Sequence, residues 1–288
     1  MHDHFIKRCL ELAEEGRGNV SPNPMVGCVI VQGGAIVTEG THRSFGGAHA
    51  EREALIKAGD LTREATLYVN LEPCCKKGKQ PPCTSAIIKS GIKTVVFGAY
   101  DPSNKGIEVL RSKGIEVIGP VLEAECRRLN KGFFSVVEND RPWVTVKKAM
   151  RRDGSTDGKI TTPEQDEWSH QRLRATHDAI LVGSGTVVAD DPKLTVRGSG
   201  SGRGPGPGRG PRRIILDPNS EVSSDATVLT DSDSAQTLVI REKLPIPELL
   251  QKLKEEDITS VLVEGGPTVW KSFEESGLVD EEVVLIDM

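Results

Sequence analysis

Four residues constrain this chain more than any others: His49 and Glu51 in His49-Ala50-Glu51, Cys74 in Glu72-Pro73-Cys74, and Cys83 in Pro81-Pro82-Cys83. One imidazole and two thiolates suit a tetrahedral Zn²⁺, and three protein ligands leave the fourth position open for water. A fold that uses them in this way must bring three separated segments to one point. Zinc lowers the pKa of bound water toward ~7, so a nearby carboxylate can take its proton and hand it to a leaving amine. Glu51 is the carboxylate beside the histidine. Together these groups suit hydrolytic deamination of an amidine-like ring carbon. A structural zinc knot would need a fourth ligand, and the nearby candidate is Cys75, whose neighbour Cys74 is already committed; adjacent side chains seldom reach one metal.

The pattern resembles the H-x-E and P-C-x-x-C signature of zinc deaminases. It departs at one point, because eight residues separate Cys74 from Cys83. A loop containing Gly78 and Pro81-Pro82 can still return Cys83 to the metal.

At 288 residues the chain exceeds the usual size of one core, which predicts two domains, 1–140 and 141–288, with Asp140-Arg141-Pro142 as the boundary. No apolar run approaches the ~20 residues that span a bilayer. The start, Met1-His2-Asp3-His4, lacks the basic and apolar regions of a signal peptide, so a cytoplasmic protein with no membrane partner is expected. The six cysteines then read as reduced thiols, with Cys9 and Cys28 in apolar patterns and Cys126 inert. A net charge of −5 argues against a broad nucleic-acid-binding surface and favours a small substrate.

Hydrophobic periodicity predicts a helix from Phe5 to Ala13, a hairpin of Val26–Val31 with Ala35–Val37, and a helix opened by His49 and Glu51. Strands follow at 66–69, 94–97 and 115–118, with helices at 84–90 and 107–112 and a helix with a connection over 122–134. In the second half, buried strands are expected at 143–146, 179–182, 213–216, 237–240, 260–263 and 283–286. Alternation of this kind predicts an α/β fold in both domains. Between Gly198 and Pro211 the chain is nearly all Gly, Pro, Ser and Arg and reads as a flexible surface loop.

Several strings, Ser21-Pro22-Asn23-Pro24-Met25-Val26-Gly27, Leu71-Glu72-Pro73-Cys74, Pro81-Pro82-Cys83 and Tyr100-Asp101-Pro102, together resemble the deaminase half of the bifunctional riboflavin-biosynthesis deaminase-reductases. In that family the long loop between the zinc cysteines is expected. The resemblance implies a cytidine-deaminase-like three-layer domain that removes the 2-amino group of 2,5-diamino-6-ribosylamino-4(3H)-pyrimidinone 5′-phosphate. It carries substrate contacts onto Asn23, His42, Lys79, Asp101 and Asn104. An amide such as Asn23 can read ring edges, and Lys79 can neutralise a phosphate. Lys76 stands where the family usually has histidine, and the stretch after Asp101-Pro102 is short, so contacts in those loops are expected to be rearranged.

No Gly-x-Gly-x-x-Gly fingerprint follows an early strand in the second half. Its strings Asp178–Gly183, Thr186–Arg197 and Val263–Thr268 resemble the reductase half of the same family. That resemblance implies a dihydrofolate-reductase-like domain using NADPH to open a ribosyl group to a ribityl chain. It places Lys147 near the reacting ribose as a catalytic residue. Met150, Thr186, Asp190, Gly266, Pro267, Thr268 and Val269 would face NADPH, and Arg174, Leu194, Arg197 and Glu264 would face substrate. Gly265-Gly266 before a helix suits a cofactor phosphate, and Arg197 suits a substrate phosphate.

Arg151-Arg152 replaces the family's Ser or Thr and apolar residue, and the segment to Ile160 lacks the family's tryptophan-containing stretch. The chain stops at Met288, where relatives continue through a further strand and helix, so the second domain is expected to be a short variant or an incomplete chain. An edge left uncovered there makes self-association a reasonable expectation. Three alternatives stand beside the two-step enzyme: a deaminase carrying a degenerate reductase domain, a nucleic-acid base deaminase, and a zinc-stabilised scaffold without activity.

Overall fold

The computed structural model describes residues 2–78, 80–155, 160–196 and 210–286. The chain divides into two compact units, Met1–Asn139 and Asp140–Met288. Each is a sheet covered by helices, as α/β alternation requires.

The first unit runs α1 (His2–Ala13), β1 (Gly27–Gln32), β2 (Ala35–Thr41), α2 (Ala50–Ala58), β3 (Thr66–Leu71), α3 (Cys83–Ser90), β4 (Thr94–Ala99), α4 (Gly106–Ser112), β5 (Glu116–Ile118), α5 (Glu123–Leu129) and α6 (Lys131–Asn139). Its sheet has the order β2-β1-β3-β4-β5. The β1 strand pairs antiparallel with β2 and β3, and β3, β4 and β5 are parallel. Successive strand residues point to opposite faces, and the core divides accordingly. Cys28, Ile30, Leu67, Val69, Val95 and Phe97 pack with residues of α2, α3 and α4. Val29, Val31, Tyr68 and Val96 pack with residues of α1, α5 and α6, joined by Leu71 and Ala99 from the last positions of β3 and β4. The strand expected at Ala35–Val37 continues to Thr41, because β1 pairs with it along that whole length. The segment expected as one helix and a connection over 122–134 is two helices, α5 and α6.

The second unit runs β6 (Trp143–Met150), α7 (Pro163–Trp168), β7 (Ala179–Gly183), α8 (Ser184–Asp190), β8 (Arg212–Leu216), α9 (Thr227–Thr230), β9 (Thr237–Ile240), α10 (Ile246–Glu255), β10 (Ser260–Val263), α11 (Pro267–Glu275) and β11 (Glu281–Ile286). All paired strands are parallel, in the order β11-β6-β10-β7-β8-β9. Both faces are buried. Val144, Val146, Leu181, Ile214 and Val261 pack with residues of α10 and α11, while Ile180, Val182 and Ile215 pack with Val187 of α8 and Val228 of α9. Near-continuous apolar runs are what a doubly covered parallel sheet demands. Most of the Gly/Pro/Ser/Arg stretch lies outside the described residues.

Candidate functional site

In the first unit, His49 is the residue just before α2, in extended backbone, and Cys83 is the first residue of α3. Two glycines permit the close approaches that frame them. A side chain at Gly40 would lie 2.1 Å from the Ala50 carbonyl at the start of α2, and one at Gly106 would lie 1.8 Å from the Pro73 carbonyl beside Cys74.

His49, Cys74 and Cys83 offer ligand atoms that all lie within 4.8 Å of one another. The imidazole presents Nδ1, 3.6 Å from Cys74 Sγ and 3.3 Å from Cys83 Sγ. The Cys83 backbone N–H also donates to Cys74 Sγ at 3.3 Å. Hydrogen bonds from Cys83 and His49 hold the Cys74 thiol down at about 4, so it ionises readily. The thiolate at Cys74, and burial after it, push the Cys83 thiol up until a cation enters. A borderline-soft divalent ion such as zinc fits one nitrogen and two sulfurs at this separation.

Glu51 lies in the first turn of α2 and is 3% exposed. Burial raises its carboxyl pKa, and the adjacent Cys74 adds to the effect. A carboxyl shifted upward in this way holds a proton more readily than an exposed one, as a proton carrier must. His49, Glu51 and Cys74 share a cavity of about 160 Å³ with Asn23, His42, Asp101 and Phe133. Burial keeps His42 toward its neutral form. Its Nδ1 donates to the Ala48 carbonyl at 2.9 Å, which leaves Nε2 to accept from the Asn23 amide at 3.1 Å. The Asn23 carbonyl oxygen is then the acceptor available to a ring N–H or amino group.

Asn104 is placed differently from the expectation. Its Oδ1 accepts from the Cys75 N–H and its Nδ2 donates to the Pro73 carbonyl, both at 3.0 Å. It holds the loop that carries Cys74 and is not among the residues lining the cavity. Lys79 lies outside the described residues. Lys76 donates to the Ser103 carbonyl and so ties the same two loops together.

Sequence reasoning passed over the residues that frame this site. Glu72 accepts from the backbone N–H groups of Asp101 and Ile107. Asn70 and Asn130, both buried, bracket the segment after Asn23: Asn70 bonds Gly27 N–H and Met25 C=O, and Asn130 bonds both backbone groups of Met25. A polar residue in the middle of the apolar strand Thr66–Leu71 was the signal available for Asn70.

In the second unit, a cavity of about 1280 Å³ opens where β7, β8 and β9 end, at Gly183, Leu216 and Ile240. Ligands of open parallel sheets bind beyond the carboxyl ends of the strands. Helices α10 and α11 begin on its wall, at Ile246 and Pro267, with their positive ends toward it. Of the residues expected to face a nucleotide, Thr186, Asp190, Gly266, Pro267, Thr268 and Val269 line this cavity. A side chain at Gly265 would press 2.8 Å from Val269 Cβ, whereas one at Gly266 would meet nothing within 4 Å, so Gly266 leaves room on the cavity side. A cradle of helix starts and glycine backbone suits a dinucleotide phosphate. Met150 is not in this lining; it ends β6, opposite Ile286 of β11. Sequence reasoning missed Ser184, Asn219, Lys243, Ile246 and Phe273 in the wall. The end of a strand at Ile240 followed by Pro245-Ile246-Pro247 was a usable sign of a helix start there.

Of the residues expected to face substrate, Arg174 and Glu264 form a charged cluster with Lys147. Arg174 grips Glu264 with two hydrogen bonds, 3.0 and 2.7 Å, and donates to the Thr195 carbonyl at 2.9 Å. Lys147 Nζ lies 4.0 Å from Glu264 Oε2. Burial works to raise the Glu264 pKa, yet Arg174 first, then Lys147 and His170, bring it below the usual carboxylate value. Arg174 follows a π-helical turn, Ser169–Leu173, a form that often marks functional sites. Leu194 is buried in the core with Ile180 and Val182, its backbone at φ +50°. Arg197 lies outside the described residues.

Comparison with known proteins bears on both units. Residues 1–99 match the cytidine and deoxycytidylate deaminase zinc-binding region, and residues 142–287 match the RibD C-terminal domain. The riboflavin biosynthesis protein RibD of Aquifex aeolicus is 41% identical over 98% of this chain and 86% of its own length. That of Escherichia coli is 36% identical over 99% and 87%. Among solved structures, the Thermotoga maritima diaminohydroxyphosphoribosylaminopyrimidine deaminase/5-amino-6-(5-phosphoribosylamino)uracil reductase superposes with a TM-score of 0.86 at 40% identity, covering 96% of this chain and 84% of that one. Acinetobacter baumannii RibD gives 0.87 at 32% identity, covering 99% and 86%.

Proposed function

Because the chain belongs to the RibD family of riboflavin-biosynthesis deaminase-reductases, we propose that residues 1–140 deaminate 2,5-diamino-6-ribosylamino-4(3H)-pyrimidinone 5′-phosphate and that residues 141–288 reduce its product. The chain is an enzyme of riboflavin biosynthesis with deaminase and reductase activities, and its cofactors are Zn²⁺ and NADPH. Its fold is α/β, a cytidine-deaminase-like domain followed by a dihydrofolate-reductase-like one. Among the described residues no helix is long and apolar enough to cross a membrane.

One observation supports the first reaction above the rest: three zinc-type ligand atoms lie within 4.8 Å of one another, and two of the residues that offer them, His49 and Cys74, line a cavity with buried Glu51. His49 Nδ1, Cys74 Sγ and Cys83 Sγ would hold zinc, whose Lewis acidity would make water nucleophilic near neutral pH. Asn23, held by His42, accepts from the ring edge and fixes the amino-bearing carbon toward that corner. Glu51 takes a proton from the attacking water and returns one to the amine. The carbon–nitrogen bond breaks, ammonia leaves, and a ring carbonyl remains.

In the second reaction Thr186, Asp190 and Gly266–Val269 would hold NADPH, which would supply the hydride that ends on C1′. Lys147 stands at the reacting ribose with its ammonium steadied by Glu264, and it donates a proton to the ring oxygen as the C1′–O bond opens. Arg174 and Glu264 fix the segment through Thr195, on the way to Arg197.

Ammonia release from the diaminopyrimidine phosphate should vanish when metal is stripped and return with added zinc. Release that survives exhaustive chelation, with no zinc found by elemental analysis, would overturn the zinc mechanism.

A further inference from the structure

Neither family match reaches residues 100–141, yet that stretch adds a wall to the deaminase cavity. Phe133, on α6, is the one phenyl ring in the lining. The polar walls are already occupied with chemistry, His49 and Cys74 at the metal corner, Glu51 with the proton, Asn23 and His42 at the ring edge. A flat pyrimidine held by its edge still needs contact on its face. Pro24, Val26 and Leu71 are the aliphatic lining, and none of them offers a π surface.

The chain orients Phe133 by splitting a Phe-Phe pair. Phe134 is buried in the core, with the Arg127 guanidinium 4.0 Å from its ring centroid. Phe133, set edge to face against it with centroids 5.5 Å apart, is only partly buried and lines the cavity. Asn130, just before α6, fixes this arrangement relative to the ring-edge segment. It accepts from Met25 N–H at 2.8 Å and donates to Met25 C=O at 3.0 Å, two residues beyond Asn23. The residue that reads the ring edge and the residue that can cover the ring face are thereby tied together. At about 160 Å³ the described cavity is below the ~300 Å³ of ordinary small-molecule pockets, so it takes the reacting ring and leaves the ribosyl phosphate outside.

We infer that Phe133 is a specificity-determining residue of the deaminase site, stacking on the pyrimidine ring of the substrate while Asn23 holds its edge. This rests on the deaminase activity proposed above. The test measures deamination of the diaminopyrimidine phosphate without NADPH by wild type and by Phe133→Ala, Phe133→Leu and Phe133→Tyr, with zinc content and NADPH-linked reduction of the deaminated product recorded on the same preparations. Loss of an aromatic stacking partner should raise KM roughly tenfold in Phe133→Ala. Phe133→Leu should fall between, Phe133→Tyr should stay near wild type, and kcat, zinc and reduction should hold throughout. A wild-type KM in Phe133→Ala would overturn the inference. So would zinc loss or a fall in kcat that Phe133→Tyr shares, since those mark a packing role. If wild type itself releases no ammonia, it is the activity reading that has failed.

Discussion

In the first unit a cavity of about 160 Å³ borders a metal corner whose ligand atoms come from three short segments; in the second a crevice of about 1280 Å³ lies open at the ends of three parallel strands. The first is defined by side chains of distinctive chemistry, an imidazole, two thiols and a buried carboxyl. The second is defined by the starts of α10 and α11 and the bare backbone of Gly266, with the charged cluster of Lys147, Arg174 and Glu264 outside its lining. A metal site concentrates its function in a few irreplaceable atoms. A dinucleotide site spreads its function over backbone and shape, so single substitutions there should act in smaller steps.

The comparison breaks most visibly at the metal. Cys83→Ser should lose zinc and with it measurable deamination, while reduction of the deaminated pyrimidine continues; unchanged metal by elemental analysis would remove Cys83 from the ligand set. Glu51→Gln should keep zinc and lower kcat for deamination by roughly 10²–10⁴, the usual contribution of a general acid–base group. Wild-type turnover in that variant would exclude Glu51 as the proton carrier.

The charged cluster of the second unit should respond through stability. Glu264→Gln leaves Arg174, itself 6% exposed, facing a neutral amide, and breaking a buried pair costs about 3–5 kcal/mol. The pH dependence has a definite sign. The folded Glu264 pKa lies below the ordinary carboxylate value, so its contribution is complete above about 4.3 and is lost as pH falls through the lower folded value. Denaturation of the two proteins should therefore differ most at neutral pH and converge in acid; an equal gap at all pH values would contradict this pairing. The smallest effect is expected at Asn104→Ala, which leaves Cys75 N–H and Pro73 C=O without their side-chain partner at a cost of about 1–3 kcal/mol. Retained zinc with lowered thermal stability would fit its loop-holding role, whereas a raised KM with full stability would return it to the substrate.

Much of this was legible in the residues, and the gaps have physical reasons. Cysteine and histidine at metal spacing have few other uses, so the zinc set could be read directly. Short apolar runs in 26–31, 66–69 and 94–97, buried on both faces, told sheet from helix, while the strand at Ala35–Val37 was cut short because Thr38 and Glu39 carry no apolar signal at a sheet edge. Asn104 shows a limit of residue type: an amide that could face a ligand instead satisfies two backbone groups, and only the fold distinguishes the cases. Phe133 shows another, since a Phe-Phe pair in an amphipathic helix reads as core. In the second unit Gly265-Gly266 was visible because glycine has a backbone meaning. Ser184 and Ile246 were not, because a residue at a helix start lends its amide and not its side chain.

The central claim is that one chain carries two consecutive chemistries in two separately built sites. It is tested most directly by incubating the purified protein with the diaminopyrimidine phosphate, with and without NADPH, and identifying the products by mass. The expected result is the deaminated ribosyl compound without NADPH and the deaminated ribityl compound with it. The deaminated ribosyl compound alone under both conditions would contradict the claim.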